Sequence, residues 1–103
     1  MFVGVLRLTF HIPHARSLKD KRRVVQRIRD RVRSHFDVSI AEVGAQDLHQ
    51  RAVFGISVVS GDAAVCDSVL ARVARAAVRH EDAVLTDRTT ELLTIGDDMF
   101  GER

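Results

Sequence analysis

Nine basic side chains fall between Arg16 and Arg33 (Arg16, Lys19, Lys21, Arg22, Arg23, Arg27, Arg29, Arg31 and Arg33), and only Asp20 and Asp30 interrupt them. That segment carries +7 in a chain of net charge +2, so the remaining seven bases and twelve acids carry −5. Such polarity bears on partners rather than on fold. Guanidinium forks match phosphate oxygens bidentately, so an arginine-dense helix is chemistry for a polyanion. Two acids cannot neutralise nine bases by pairing within a helix. The plainer alternative is a solvated helix face that happens to be rich in arginine.

Other residues of chemical interest make weaker patterns. Asp47 and His49 could orient one another as a base and its supporting acid, with Arg51 beside them. A hairpin connection whose Asp and Gln cap backbone groups explains the same residues more simply. His11 and His14 resemble half a metal site, but His35, His49 and His80 stand isolated, and no metal or other cofactor is expected. Cys66 sits in an apolar stripe, as a structural thiol would. A Gly-rich phosphate loop and a zinc-protease helix motif are both absent. Binding is therefore expected rather than catalysis.

The elements that must position these groups follow from periodicity. Residues 2–12 alternate, with Phe2, Gly4, Leu6, Leu8, Phe10 and Ile12 on one side and Val3, Val5, Arg7, Thr9 and His11 on the other. Pro13 stops that strand. Ser17, three residues before Asp20, opens a helix, and Val24, Val25, Ile28, Val32 and Phe36 form its inward stripe. On a helical wheel with Leu18 placed inward, Lys19, Arg23, Arg27 and Arg33 fall toward solvent, with Arg22 and Arg29 on the flanks. Free backbone N–H groups at the helix start, beside Ser17, Lys19, Lys21 and Arg22, suggest a phosphate seat.

Val38–Val43 is strand-like, residues 44–50 form a polar loop, and Arg51–Ser60 is the most β-prone stretch. Gly61-Asp62 then caps a second helix whose stripe is Val65, Cys66, Val69, Leu70, Val73 and Ala77. A last strand runs from about Val84 to Ile95. The order βαββαβ predicts an α+β, ferredoxin-like domain: a four-stranded antiparallel sheet with two helices on one face, spanning 1–95, with a frayed tail at 96–103.

On the opposite sheet face the aromatics used by RNA-recognition modules are missing, since Phe2, Phe10 and Phe54 point toward the helices. Val3, Val5, Val53 and Val59 lie there instead and suggest burial against another copy, a homodimer, or a partner. The 103 residues suffice for one core. One cysteine, an N-terminus without signal-peptide character, and no apolar run of about 20 residues favour a cytoplasmic protein without membrane contact.

Several segments resemble the YlxP family, small bacterial proteins of unknown function. They are Gly4-Val5-Leu6-Arg7-Leu8, His11-Ile12-Pro13, the run Ser17-Leu18-Lys19-Asp20-Lys21-Arg22-Arg23-Val24-Val25, Val38–Val43, Gln46-Asp47-Leu48 and Gln50-Arg51-Ala52. The resemblance extends from residue 1 to about 95, and Ser17-Leu18-Lys19-Asp20-Lys21-Arg22, opening the first helix, is its most specific part. Many members have a tryptophan where this chain has His49. The resemblance implies a ferredoxin-like fold. Genes of the family often neighbour those of a translation initiation factor, a transcription elongation factor and a ribosome-binding factor, which implies a role near RNA or the small ribosomal subunit. The expectation is a non-enzymatic RNA- or ribosome-associated domain, linked to translation or small-subunit maturation. Lys19, Arg22, Arg23, Arg27 and Arg33 would contact phosphates and Arg51 would add a local contact. The alternative is a dimerising module using the outer sheet face.

Overall fold

The structure is a computed structural model, and it describes residues 1–96. The expected tail, apart from Gly96, lies outside them. Six elements follow in the order β1 (Phe2–His11), α1 (Leu18–His35), β2 (Ser39–Gly44), β3 (Arg51–Ser60), α2 (Ala63–Ala77) and β4 (Val84–Thr94). The strands form one antiparallel sheet in the order β2-β3-β1-β4. Both helices pack on one face, so the fold is the ferredoxin-like α+β arrangement. The two central strands, β1 and β3, are the two most apolar ones, as a strand with neighbours on both sides and helices above requires.

The alternation of β1 is realised as read. Leu6, Leu8 and Phe10 are fully buried beneath the helices with Ala52, Phe54 and Ile56 of β3, and the Phe10 and Phe54 rings meet edge to face at 5.8 Å. Each such side chain contributes about 1.5–3 kcal/mol by leaving water. Gly4 marks the closest approach of α2 to the sheet: a Cβ there would lie 2.8 Å from Leu70 Cδ1 and 3.2 Å from Cys66 Cβ. A side chain at that position would push the helix off the strand. In α2, Cys66, Leu70, Val73, Ala74 and Ala77 are buried, whereas Val65, expected inward, is exposed because it lies about 100° around the helix from Cys66, outside the buried arc.

Two bulges shape the sheet edges. Thr86 is the extra residue of β4 opposite Thr9-Phe10, and its Oγ1 donates to the Thr9 carbonyl at 3.2 Å. Val43 is the extra residue of β2, lying over Gly55. Glu42, before the second bulge, pairs with Phe54 and so shares the helix-facing side of the sheet.

Glu42 is met there by Lys21. On α1 the residues 21, 25, 28 and 32 lie on one face, and Lys21 is only 2% exposed, below Val25, Ile28 and Val32. Its Nζ donates to the carbonyls of Ala45 (2.6 Å) and Leu48 (2.8 Å) and lies 2.7 Å from the Glu42 carboxylate. All three ammonium donors are thus directed at oxygens. Ala45 has a left-handed backbone (φ 56°), which a residue with a Cβ rarely adopts, and its carbonyl is one of those held by Lys21. Leu18, placed inward by the wheel, is instead exposed; the stripe is rotated so that the lysine enters the core layer.

Lys21→Met removes the donor from three buried or half-buried oxygens and should cost about 3 kcal/mol. For a domain of this size that is a fall in Tm of about 15 °C, whereas Lys19→Met on the exposed side should change stability by less than about 0.5 kcal/mol. Thermal and urea unfolding of the two variants side by side provide the check. Equal stabilities would show that the buried ammonium anchors nothing.

Candidate nucleic-acid interface

The basic residues of α1 sort into three groups by helical phase. Lys21 is inside. Arg23, Arg27, Arg31 and His35, each four residues apart, form a row along the side facing α2 and the α2–β4 connection. Arg22, Arg29 and Arg33 form a second row toward β2, where Arg33 donates to the Ile40 carbonyl at 3.4 Å. Lys19, Arg22, Arg23, Arg27 and Arg33 are all exposed, as expected.

Several of these bases already have partners within the fold. Arg27 pairs with Asp82 at 3.1 Å, and Arg31 donates to the Arg79 carbonyl. Lys19, Arg22 and Arg23 make no side-chain hydrogen bond or ion pair among the described residues. An exposed pair such as Arg27–Asp82 is worth about 1 kcal/mol or less, so it yields readily to a phosphate. His80 adjoins this pair. Burial holds its imidazole below the ordinary 6.5, with Asp82 pulling the other way and Arg27 and Arg31 adding to the fall. His80 is therefore neutral near pH 7 and adds no charge.

The expected phosphate seat at the start of α1 is not available. Ser17 Oγ accepts the Asp20 N–H at 3.1 Å, and the Asp20 carboxylate turns back to accept the Arg16 N–H at 3.0 Å. The first turn is closed by its own side chains, with a carboxylate where an anion would sit, and Lys21 points away from it.

Arg51 is not part of the helical surface. It pairs with His11 at the end of the sheet, and the alternation of β3 sends its side chain to the face without helices. It lines two adjoining depressions there, one of about 550 Å³ with His11, Asp47, Leu48, His49 and Gln50, the other of about 460 Å³ with Arg7, Thr9, Val53, Thr86 and Asp87. Asp47 and His49 share the first depression, but no hydrogen bond joins them among the described residues. Gln50 has the backbone-capping role: its amide donates to the Pro13 and Ala15 carbonyls, both at 3.3 Å, and its carbonyl accepts the Ile12 N–H. Nearby, Arg7 is tied to Asp87 at 3.3 Å and Thr89 at 3.2 Å. No group of three or more His, Cys, Asp or Glu among the described residues could hold a metal ion.

The structure adds bases that charge counting missed. Arg72 and Arg75 in the last turns of α2 and Arg79 just past its C-cap follow at spacings of three and four, and all three are exposed. The helices run antiparallel, which brings Arg79 beside Arg31 and Arg72 beside Phe36. The helix layer therefore carries arginine from both helices. The signal was present as a 3–4 spacing, hidden because these residues belong to the portion of the chain with net negative charge.

On the uncovered sheet face, Val59, Val3 and Leu93 form one row across β3, β1 and β4. Val59 is 62% exposed, Val3 and Val5 are half-buried, and Val53 is nearly covered. Val53 thus contributes little surface to any partner. No helix of the described residues is long and apolar enough to cross a membrane.

Comparison with known proteins places this geometry in a family. Over 59 residues the chain is 49% identical to the uncharacterized protein YlxP of Bacillus subtilis (strain 168), an alignment covering 57% of this chain and 64% of that protein. Among solved structures, the de novo designed protein Foldit4 superposes with a TM-score of 0.52 at 14% identity, covering 93% of this chain and all of the design. A C-terminal segment of the alpha subunit of aIF2 from Pyrococcus abyssi gives 0.48 at 18% identity, covering 92% of this chain and 52% of that one. The model of the family described as "Protein of unknown function (DUF503)" matches residues 3–90, and the chain, YlxP-like in sequence, belongs to that family.

Proposed function

We propose that this protein is a non-enzymatic domain that binds RNA, as part of a ribosome-associated role in translation or small-subunit maturation, through the arginine-rich surface of its helix layer. The observation that carries the reading is the row Arg23–Arg27–Arg31 on α1, which meets Arg79 just past the end of α2, with Arg72 and Arg75 exposed on α2 and Lys19 and Arg22 beside the row. Two antiparallel helices hold these guanidiniums on rigid backbone, spaced about 6 Å apart along α1. Phosphate is the ligand chemistry that a rigid array of forked, permanently charged donors fits. Cytoplasmic RNA fits a chain whose one cysteine, Cys66, is a buried free thiol.

Binding to structured ribosomal RNA should weaken steeply with salt. For about four phosphate contacts, log affinity should fall against log salt with a slope of about −3 to −4. Arg22→Glu/Arg23→Glu/Arg27→Glu should abolish it while circular dichroism stays native; a slope near zero would exclude the phosphate mechanism. Asp82→Asn offers a test in the opposite direction. It frees Arg27 and removes a negative charge from the row, so RNA affinity should rise a few-fold, corresponding to about 1 kcal/mol. Unchanged or weaker binding would place the contact elsewhere on the molecule.

A second reading, dimerisation through the uncovered sheet face, is favoured by the row Val59–Val3–Leu93. An apolar contact of that kind is insensitive to salt. Light scattering should then give a dimer in both dilute and molar salt, and Val59→Lys should give a monomer with native stability. A monomer at every concentration would remove this reading and leave the helix layer as the working surface.

A further inference from the structure

The arginine rows end at a groove between the last turns of the two helices. His35 and Phe36 close α1, and Ala76 of α2 and Arg79 just beyond that helix lie opposite. The groove has a volume of about 400 Å³, within the range of small-molecule sites. Its floor is apolar: the half-buried Phe36 ring, whose other contacts are with the core, and the methyl of Ala76. Its rim is basic. Arg31 donates to the Arg79 carbonyl across the groove, the Arg72 guanidinium lies over the Phe36 ring at 5.7 Å from its centroid, and the His35 ring is 6.4 Å from it. None of the lining side chains is a carboxylate. His35 Nδ1 faces the Arg31 carbonyl at 2.9 Å, which leaves Nε2 free for a ligand.

An apolar, partly aromatic floor with a cationic rim matches a molecule that is flat and apolar at one end and anionic at the other. We infer that this groove seats one unpaired nucleotide of the bound RNA, its base lying against Ala76 and on Phe36 in place of the exposed Arg72 guanidinium, and its phosphate between Arg31 and Arg79. The assignment rests on the RNA reading above and sharpens it from polyanion to RNA with a single-stranded element. Charge complementarity favours this occupant over an acidic peptide, because the row Arg23–Arg27–Arg31–His35 runs about 18 Å along α1 straight into the groove. A nucleic-acid backbone supplies phosphates along that whole path. Stacking on a protein ring tolerates any base, so the groove selects an unpaired base rather than a sequence. Among the described residues, the sheet face that RNA-recognition modules of this topology use for stacking carries no Phe, Tyr or Trp, and Phe36 lies on the opposite side of the domain.

The test compares a blunt RNA duplex with the same duplex carrying a single-stranded overhang, by fluorescence anisotropy at fixed salt. The protein should prefer the overhang roughly tenfold, the scale of one base–aromatic stack. Phe36→Leu keeps apolar volume beneath the helices and should erase the preference while leaving blunt-duplex affinity unchanged. Ala76→Leu, which fills the groove without adding charge to the arginine surface, should do the same. Equal binding of both duplexes by the unaltered protein overturns the groove assignment and leaves the phosphate-ridge reading standing. Binding of neither overturns both. Phe36-dependent binding of an acidic peptide at an affinity equal to that for the overhang would overturn the nucleotide and reassign the groove to a protein partner.

Discussion

One buried ammonium group governs how the layers of this domain meet. Taking a lysine out of water costs several kcal/mol, and the loss is offset only if every donor finds a well-placed oxygen. Lys21 finds Ala45 O, Leu48 O and the Glu42 carboxylate, from a strand and the loop that follows it. The arrangement therefore fixes three things together: the depth of α1 over β2, its rotation about its own axis, and the conformation of the 45–50 loop. The left-handed backbone of Ala45 is tolerable because the carbonyl it exposes is taken up at once. With the loop closed, Gln50 reaches back to the Pro13 and Ala15 carbonyls and ties the entry to α1.

That rotation determines which charges reach solvent. Once Lys21 is turned inward, the residues at 23, 27 and 31 must lie toward α2 and those at 22, 29 and 33 toward β2. The run Ser17–Arg23 thus divides in two. Ser17, Asp20 and Lys21 build the helix start and anchor it, whereas Lys19, Arg22 and Arg23 are exposed and make no side-chain hydrogen bond or ion pair among the described residues. A high density of like charge on one helix is self-repelling, and the structure relieves it with acceptors from outside the helix: Asp82, the Arg79 carbonyl and the Ile40 carbonyl.

The fold was legible because its signals are local. Period-two alternation in β1 and β3, Pro13 as a stop, Ser17 and Asp62 as caps and the helical stripes give the element order directly, and chirality rules then leave one arrangement. Lys21 was not legible as a core residue, since a charge is ordinarily assigned to the wet side of a stripe and only its phase with Val25, Ile28 and Val32 argues otherwise. Arg51, expected to add a local contact apart from those of α1, has a parity in β3 that already placed it on the face away from the helices. Arg72, Arg75 and Arg79 were overlooked because net charge was summed along the chain, while the surface sums it across neighbouring helices.

The two faces of the domain are suited to partners by opposite physics. The helix layer presents charge on rigid backbone, and the proposed contact with a polyanion would draw on counterion release and fade with salt. The sheet face presents Val59, Val3 and Leu93 in a row, where the driving force is removal of apolar surface from water and salt does not weaken it. These faces lie on opposite sides of one packed core, so a contact on either need not obstruct the other. A second copy on the sheet face would leave both helix layers exposed and double the number of basic surfaces. Two linked surfaces bind one long polyanion far more tightly than either alone. The polyanion and dimer readings are therefore compatible, and if both hold, the sheet face would set the avidity with which the helix layer acts.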